Sequence, residues 1–212
     1  MSEGSGAEAR DSIVSRVSAL PTPRRWLFAA AWLGILGAVA GPIYDGIHTW
    51  SGATWYANPG FMRSVWWCPP LFAAAAIALG LANPAYDVII LRRNPRGATA
   101  GVIASTMAVF TLAYVTSGFL PGEWWLKTAI LTGLFVMNIH GAGGEVRNTL
   151  PNAAIAAIAG WAVEYLLTQR GLFTHRDTEL MGVAGWIPPL YATASVAVGA
   201  IGRRLVGGVR IG

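Results

Sequence analysis

Charge is the scarcest thing in this chain. Only 12% of its 212 residues are Asp, Glu, Lys or Arg, while 54% are hydrophobic and mean hydropathy is +0.50. A soluble domain carries roughly 25% charged residues; half that amount cannot cover a water-facing surface, so a soluble globular fold is excluded. Cysteine is reduced to Cys68, which rules out an internal disulfide and any cysteine-built zinc or iron–sulfur centre. Lying in an apolar segment, Cys68 reads as a small packed hydrophobe. Lysine is reduced to Lys127, so the net charge of +5 comes almost entirely from arginine. With the heavy use of Ala, Gly and Trp, this suggests a GC-rich, bacterial genome. Hydrolase and metallopeptidase signatures such as HExxH and GxSxG are missing. The Gly141-Ala142-Gly143-Gly144 stretch has no Lys or Ser/Thr at the spacing of a phosphate loop.

What is present is a series of long, largely uncharged apolar runs. A bilayer core needs roughly 20 consecutive apolar residues per helix. Six runs approach this: Trp26–Tyr44, Val65–Asn83, a stretch within Gly97–Gly122, Trp124–His140, Leu150–Thr168 and Val183–Gly202. The expected fold is all-α, a polytopic six-helix bundle over residues 26–206. A Ser-, Gly- and Arg-rich arm over 1–25 precedes it, and a short tail over 207–212 follows. The arm is not read as a signal peptide, because the first apolar run comes too late and further runs follow. Short loops between the third, fourth and fifth runs predict antiparallel neighbours. Lys127, at the mouth of the fourth, is expected to snorkel to the interface.

Basic residues orient the bundle. With the N-terminus cytosolic, the inner segments hold Arg10, Arg16, Arg24, Arg25, Arg92, Arg93, Arg96, Arg147, Arg203, Arg204 and Arg210, and the outer ones only Arg63, Lys127, Arg170 and Arg176. Both termini are therefore expected inside, which requires an even number of spans. The basic balance thus reflects loop asymmetry and not nucleic-acid binding. Arg92, Arg93, Arg96, Arg203 and Arg204 form an inner collar that should attract anionic lipid at about 1 kcal/mol each. Trp50, Trp55, Tyr56, Trp66, Trp67, Trp124, Trp125 and Trp186 fall at the expected outer boundary, where indoles anchor at headgroup level.

Two segments echo each other. Trp67-Cys-Pro-Pro-Leu-Phe-Ala running to Gly80 resembles Trp186-Ile-Pro-Pro-Leu-Tyr-Ala running to Gly199. Trp anchors each start, Pro in the first turn forfeits no needed N–H, and small residues beyond let another helix approach closely. A three-helix duplication would pair the second span with the fifth, so this reads as one solution used twice. Gly37 with Gly41, Ala76 with Gly80, Ala156 with Gly160 and Ser195 with Gly199 make further small faces, and self-association is expected from them.

Polar residues within the runs are few. Glu164 is the one acid well inside a span, either a functional group or a side chain reaching water near the outer boundary; Tyr165 lies beside it. Asn138 and His140 either meet a lipid headgroup or cap a helix. Asp45 and His48 face His175, Asp177 and Glu179 across the outer surface. Such a set could hold a metal or hydrolyse a lipid, although ordinary polar loops look the same. The near-absence of buried charge disfavours a pump or ion channel, and a greasy interior suits a lipid or sterol-like ligand. A small lipid or solute transporter is the third reading.

Trp66-Trp67 followed by Pro69-Pro70, then Gly80, Pro84 and Asp87, resembles the second span of the Insig (insulin-induced gene) family. Trp186 and Pro188, closing with Gly199-Ala200-Ile201-Gly202-Arg203, resemble its sixth. The resemblance covers about Trp26 to Arg204. It implies six spans with both termini cytosolic and a non-enzymatic lipid sensor. Eukaryotic members sit in the endoplasmic reticulum, bind oxysterols among their helices and hold partner membrane proteins. The family's Asp-Arg-Ser motif after the fourth span is replaced by Ile139-His140-Gly141-Ala142, so the eukaryotic partner contact is not carried over. A glutamine near the family's ligand pocket matches Glu164 or Tyr165. In a bacterial inner membrane sterol is an unsuited native ligand. A neutral lipid is expected instead, with diacylglycerol favoured over an isoprenoid or hopanoid, and no cofactor. The residues expected at the lipid site are Glu164, Tyr165, Asn138, His140 and Trp161.

Overall fold

The computed structural model describes residues 20–142 and 146–207, leaving aside the side chain of Met62. The terminal arm before residue 20, the tail after 207 and most of the glycine-rich turn lie outside the described residues. Among the described residues six long helices carry the fold: α1 (Pro23–Ser51), α2 (Cys68–Ile89), α3 (Ala100–Phe119), α4 (Trp124–Gly141), α5 (Val146–Gln169) and α6 (Ile187–Gly207). They alternate in direction, so the start of α1 and the end of α6 share one end of the bundle, the terminal end. Helices begin where the sequence allows: Pro23 opens α1, Pro69 and Pro70 occupy the first turn of α2, and the Thr99 side chain accepts from the Val102 amide to cap α3.

The opposite end carries a short β-ribbon, the one paired sheet among the described residues. β1 (Thr54–Tyr56) pairs antiparallel with β2 (Phe173–His175), Thr54 opposite His175 and Tyr56 opposite Phe173. This ribbon ties the loop after α1 to the loop after α5. Three-residue strands leave too short a pattern to read from sequence.

Helices α1, α2, α3 and α5 are long and apolar enough to cross a membrane. The reason α6 falls short is its position. It packs against each of the other five helices, so its surroundings are protein, and Thr193, Ser195 and Arg203 are buried along it. α4 carries Lys127, Asn138 and His140 near its ends. The expected packing of α4 on α5 is slight, because α6 takes the place beside each; α3 and α4 do pack as neighbours. The two echoing helices, α2 and α6, lie directly against each other. A Cβ at Gly202 would meet the Gly80 carbonyl, and one at Gly41 would meet the Phe72 ring of α2. The first is an approach of backbone to backbone and the second of backbone to a ring, and both admit only a glycine.

Near the terminal end, a buried polar clasp joins α2, α5 and α6. Asn148 Nδ2 donates to Asp87 Oδ1 at 2.8 Å and Asn152 Nδ2 to Asn83 Oδ1 at 3.1 Å. Asp87, fully buried, lies 2.6 Å from Arg93 Nη2 and 3.6 Å from Arg203 Nε, and Arg203 also donates to Asn148. The inner arginine collar is thus partly turned inward: Arg203 serves the interior instead of lipid headgroups.

Three outer-boundary expectations are corrected; the first is Tyr56, which is buried and donates to Asp45 Oδ1 in place of anchoring at the headgroups. Trp50, Trp55, Trp66, Trp124 and Trp125 are exposed, but Trp186 is fully buried. Its indole donates to Asp177 Oδ2 at 3.0 Å. Lys127 does not snorkel. It is 2% exposed and donates to the same Asp177 oxygen at 2.8 Å, a partner supplied by the loop after β2. Burial works to raise the Asp177 carboxyl, and the hydrogen bonds from Lys127 and Trp186 overcome it, leaving the group below the ordinary carboxylate range. A depressed folded value contributes stability that is complete above the ordinary range and lost as pH falls through the folded value. Thermal unfolding followed from neutral pH into acid should therefore show a loss of stability below about pH 4 that is reduced in Lys127→Met.

Candidate functional site

An apolar cavity of about 390 Å³ lies between α1, α2, α3, α5 and α6. Its walls come from the small-residue faces: Gly37 and Gly41 of α1, Ala75 and Ala78 of α2, Ala156 and Gly160 of α5, and Ala194 of α6. Small side chains that let helices approach at one level leave open space at the next. Leu36 and Val163, 43% and 39% exposed, line it too, so the cavity reaches the lateral surface of the bundle.

Toward the ribbon the lining turns polar. Leu71, Phe72, Tyr114, Leu190 and Tyr191 border both the cavity and a chamber of about 30 Å³ beyond it, which is also lined by Asp45, His48, Tyr56, Glu164 and His175. Asp45 accepts hydrogen bonds from Tyr56 at 3.0 Å and Ser64 at 3.3 Å, with the Cys68 thiol 3.7 Å away. Burial first, then the nearby Asp45 carboxylate, push the Tyr56 hydroxyl far above its ordinary range, so it remains a donor. Glu164 Oε1 accepts from Tyr191 at 2.9 Å, and its Oε2 lies 3.2 Å from His175 Nε2. His48 stacks on Tyr114 with ring centroids 4.6 Å apart and is hydrogen-bonded to Ser117 at 2.8 Å.

The structure divides the sequence-derived candidates. Glu164 sits in the chamber and does not reach past the boundary into water. Asp45, His48 and His175 converge there as well, but Asp177 is engaged by Lys127 and Trp186, and Glu179 Oε2 accepts from the Gly185 amide. Among the described residues no group of three or more His, Cys, Asp or Glu is arranged to hold a metal. Tyr165 stacks on Trp161, ring centroids 5.5 Å apart, and the Trp161 indole donates to the Leu180 carbonyl; this pair flanks the core outside the cavity lining. Asn138 is fully buried and donates to the Thr193 carbonyl of α6 at 3.1 Å, while His140 is exposed and bonded to the Val136 carbonyl of its own helix. Tyr44, Tyr114 and Tyr191 were missed, and Tyr56 was assigned to the headgroup boundary instead of the chamber it lines. The one available hint was Tyr191, which stands where Phe72 stands in the echoed segment.

No family model matches the chain. An INSIG protein homolog of Mycolicibacterium vanbaalenii is 31% identical over 191 residues, covering 84% of this chain and 86% of that relative. The chain belongs to the Insig family. Insulin-induced gene 1 protein of Bos taurus is 23% identical and that of Homo sapiens 22%, each over 146 residues and 69% of this chain. The chain spans about half the length of these two vertebrate proteins, 53% in each case. The crystal structure of the mycobacterial Insig homolog MvINS superposes with a TM-score of 0.74 at 29% identity, over 84% of this chain and 94% of that one. A cross-linked trimer of MvINS matches equally well. Apolar helices and Insig membership together make this a membrane protein.

Proposed function

We propose that this Insig-family chain is a non-enzymatic lipid-binding protein. It crosses the membrane six times with both termini cytosolic and holds one neutral lipid in its interior cavity. Diacylglycerol is the favoured ligand; a sterol-like or isoprenoid lipid would use the same walls. The carrying observation is the apolar cavity of about 390 Å³, which ends in a small polar chamber on one side and reaches the lateral surface on another. A volume of a few hundred Å³ with apolar walls and a few convergent polar groups is the usual form of a small-molecule site. A lipid with one small polar end and long chains matches that division of chemistry.

The arginine asymmetry of the loops and the exposed tryptophans at the ribbon end support placing the ribbon on the outer side. The MvINS trimer supports self-association here. A binding role is preferred to lipid hydrolysis because the Asp45 oxygens are already occupied by Tyr56, Ser64 and Cys68. His48 is likewise hydrogen-bonded to Ser117.

Mass spectrometry of the purified chain should find a neutral lipid at close to one per protomer. Ala75→Trp, which places an indole in the cavity, should reduce that occupancy at least tenfold while the protein still elutes as a folded species. A wild-type protein free of stoichiometric lipid would overturn the proposal.

A further inference from the structure

The chamber beyond the cavity contains polar atoms that the protein itself leaves unused. Glu164 Oε2, both ring nitrogens of His175 and Thr54 Oγ1 are buried without a hydrogen-bond partner. The 3.2 Å approach of His175 Nε2 to Glu164 Oε2 lacks hydrogen-bond alignment. The His175 side chain is fully buried, and its residue and that of Thr54 are 4% and 1% exposed. Leaving such groups unsatisfied costs about 1–3 kcal/mol apiece, so four of them around one small space point to something that fills it. Their types are informative. A carboxylate oxygen needs a donor. A neutral imidazole offers one donor and one acceptor. A hydroxyl both donates and accepts, and can serve the two at once.

Size and charge narrow the choice further. About 30 Å³ accommodates a group a little larger than a water molecule. Two carboxyl groups, Asp45 and Glu164, face the space, and among the described residues no arginine or lysine lines it. A phosphate there would meet like charge in a water-poor setting, where repulsion is strongest.

We infer that the chamber is a head-selecting subsite that accepts a single free hydroxyl and rejects phosphate, with Glu164, His175 and Thr54 as its unfilled contacts. The inference rests on the proposal that the cavity holds lipid chains, and adds to it a rule about the head that is indifferent to the chains. A diacylglycerol and a long-chain polyprenol both qualify. Phosphatidate and a polyprenyl phosphate do not, although their chains are the same. Tyr191 takes part by holding Glu164 Oε1, which turns Oε2 toward the open space.

The test is a competition read by native mass spectrometry on the full chain, with equimolar dioleoylglycerol and dioleoylphosphatidate. A second pair, polyprenol and polyprenyl phosphate, checks that the rule follows the head. Wild type should favour the hydroxyl lipid at least tenfold in both pairs. Glu164→Gln, which keeps shape and removes the charge, and Thr54→Val, which keeps shape and removes the hydroxyl, should each shrink that preference several-fold while chain-bearing lipid is still retained. Equal uptake of hydroxyl and phosphate lipids by wild type overturns the head rule and leaves the cavity standing. So does a preference unchanged in both variants. If neither member of either pair binds, the cavity proposal falls, and the head rule falls with it.

Discussion

Gly202→Leu should disrupt the bundle more than any other single change in a helix interior. A Cβ at this position meets the backbone carbonyl of Gly80. Overpacking a core costs about 1–3 kcal/mol when neighbouring side chains can rotate away, and more when they cannot. Here the neighbour is backbone, so α2 and α6 must separate as whole helices. Because α6 touches every other helix, that separation disturbs the entire packing. We expect a loss of about 3 kcal/mol or more, with the melting temperature falling by roughly 2–4 °C for each kcal/mol in a chain of this size. Gly133→Leu is the matched control. It lies on α4 with nothing within 4 Å of the added Cβ, and replacing a mid-helix glycine there should be neutral or slightly stabilising. Thermal unfolding in detergent, followed by retained elution on a sizing column, separates the two.

The second large effect is expected at Asp87. It is fully buried, accepts from Asn148 and lies beside Arg93 and Arg203. Removing one partner of a buried charge pair costs about 3–5 kcal/mol, because the remaining charge stays in a low-dielectric site without compensation. Asp87→Ala should therefore fall in that range. It strips the carboxylate from Arg203, which is 4% exposed, and leaves the Asn148 amide without its acceptor. Arg203→Met should cost less, since Arg93 still neutralises Asp87. Asp87→Asn, which keeps an acceptor for Asn148, should fall between Arg203→Met and Asp87→Ala. A different order in chemical or thermal unfolding would mean that the clasp is held by its amides and not by its charges.

Helix number and approximate placement were legible because each span is a long apolar run. Their limits were not, for a consistent reason. Asp45 suggested that the first span ends at Tyr44, yet the helix continues through Ser51 because tertiary partners satisfy Asp45 and His48. The same logic hid the clasp: Asn83, Asp87 and Arg203 read as span ends and collar charges, Asn148 was not singled out, and their pairing spans separations of 55 to 120 residues along the chain. Trp186 and Lys127 were assigned to an interface that composition favours, whereas Asp177 draws both inward. Half of the chamber was visible, since Asp45, His48 and His175 were grouped in advance and Glu164 was singled out separately. What joins them is the three-residue ribbon, which brings His175 beside Thr54 and leaves no mark in hydropathy.

The central position of α6 also has a consequence in time. It is the last of the six helices to leave the ribosome, yet it is the one every other helix leans on. Until it arrives, α2 lacks the partner for Gly80, Asp87 waits without Arg203, and Tyr191 has not reached Glu164. The interior space, walled on one side by Leu190, Tyr191 and Ala194, therefore exists only once α6 has docked.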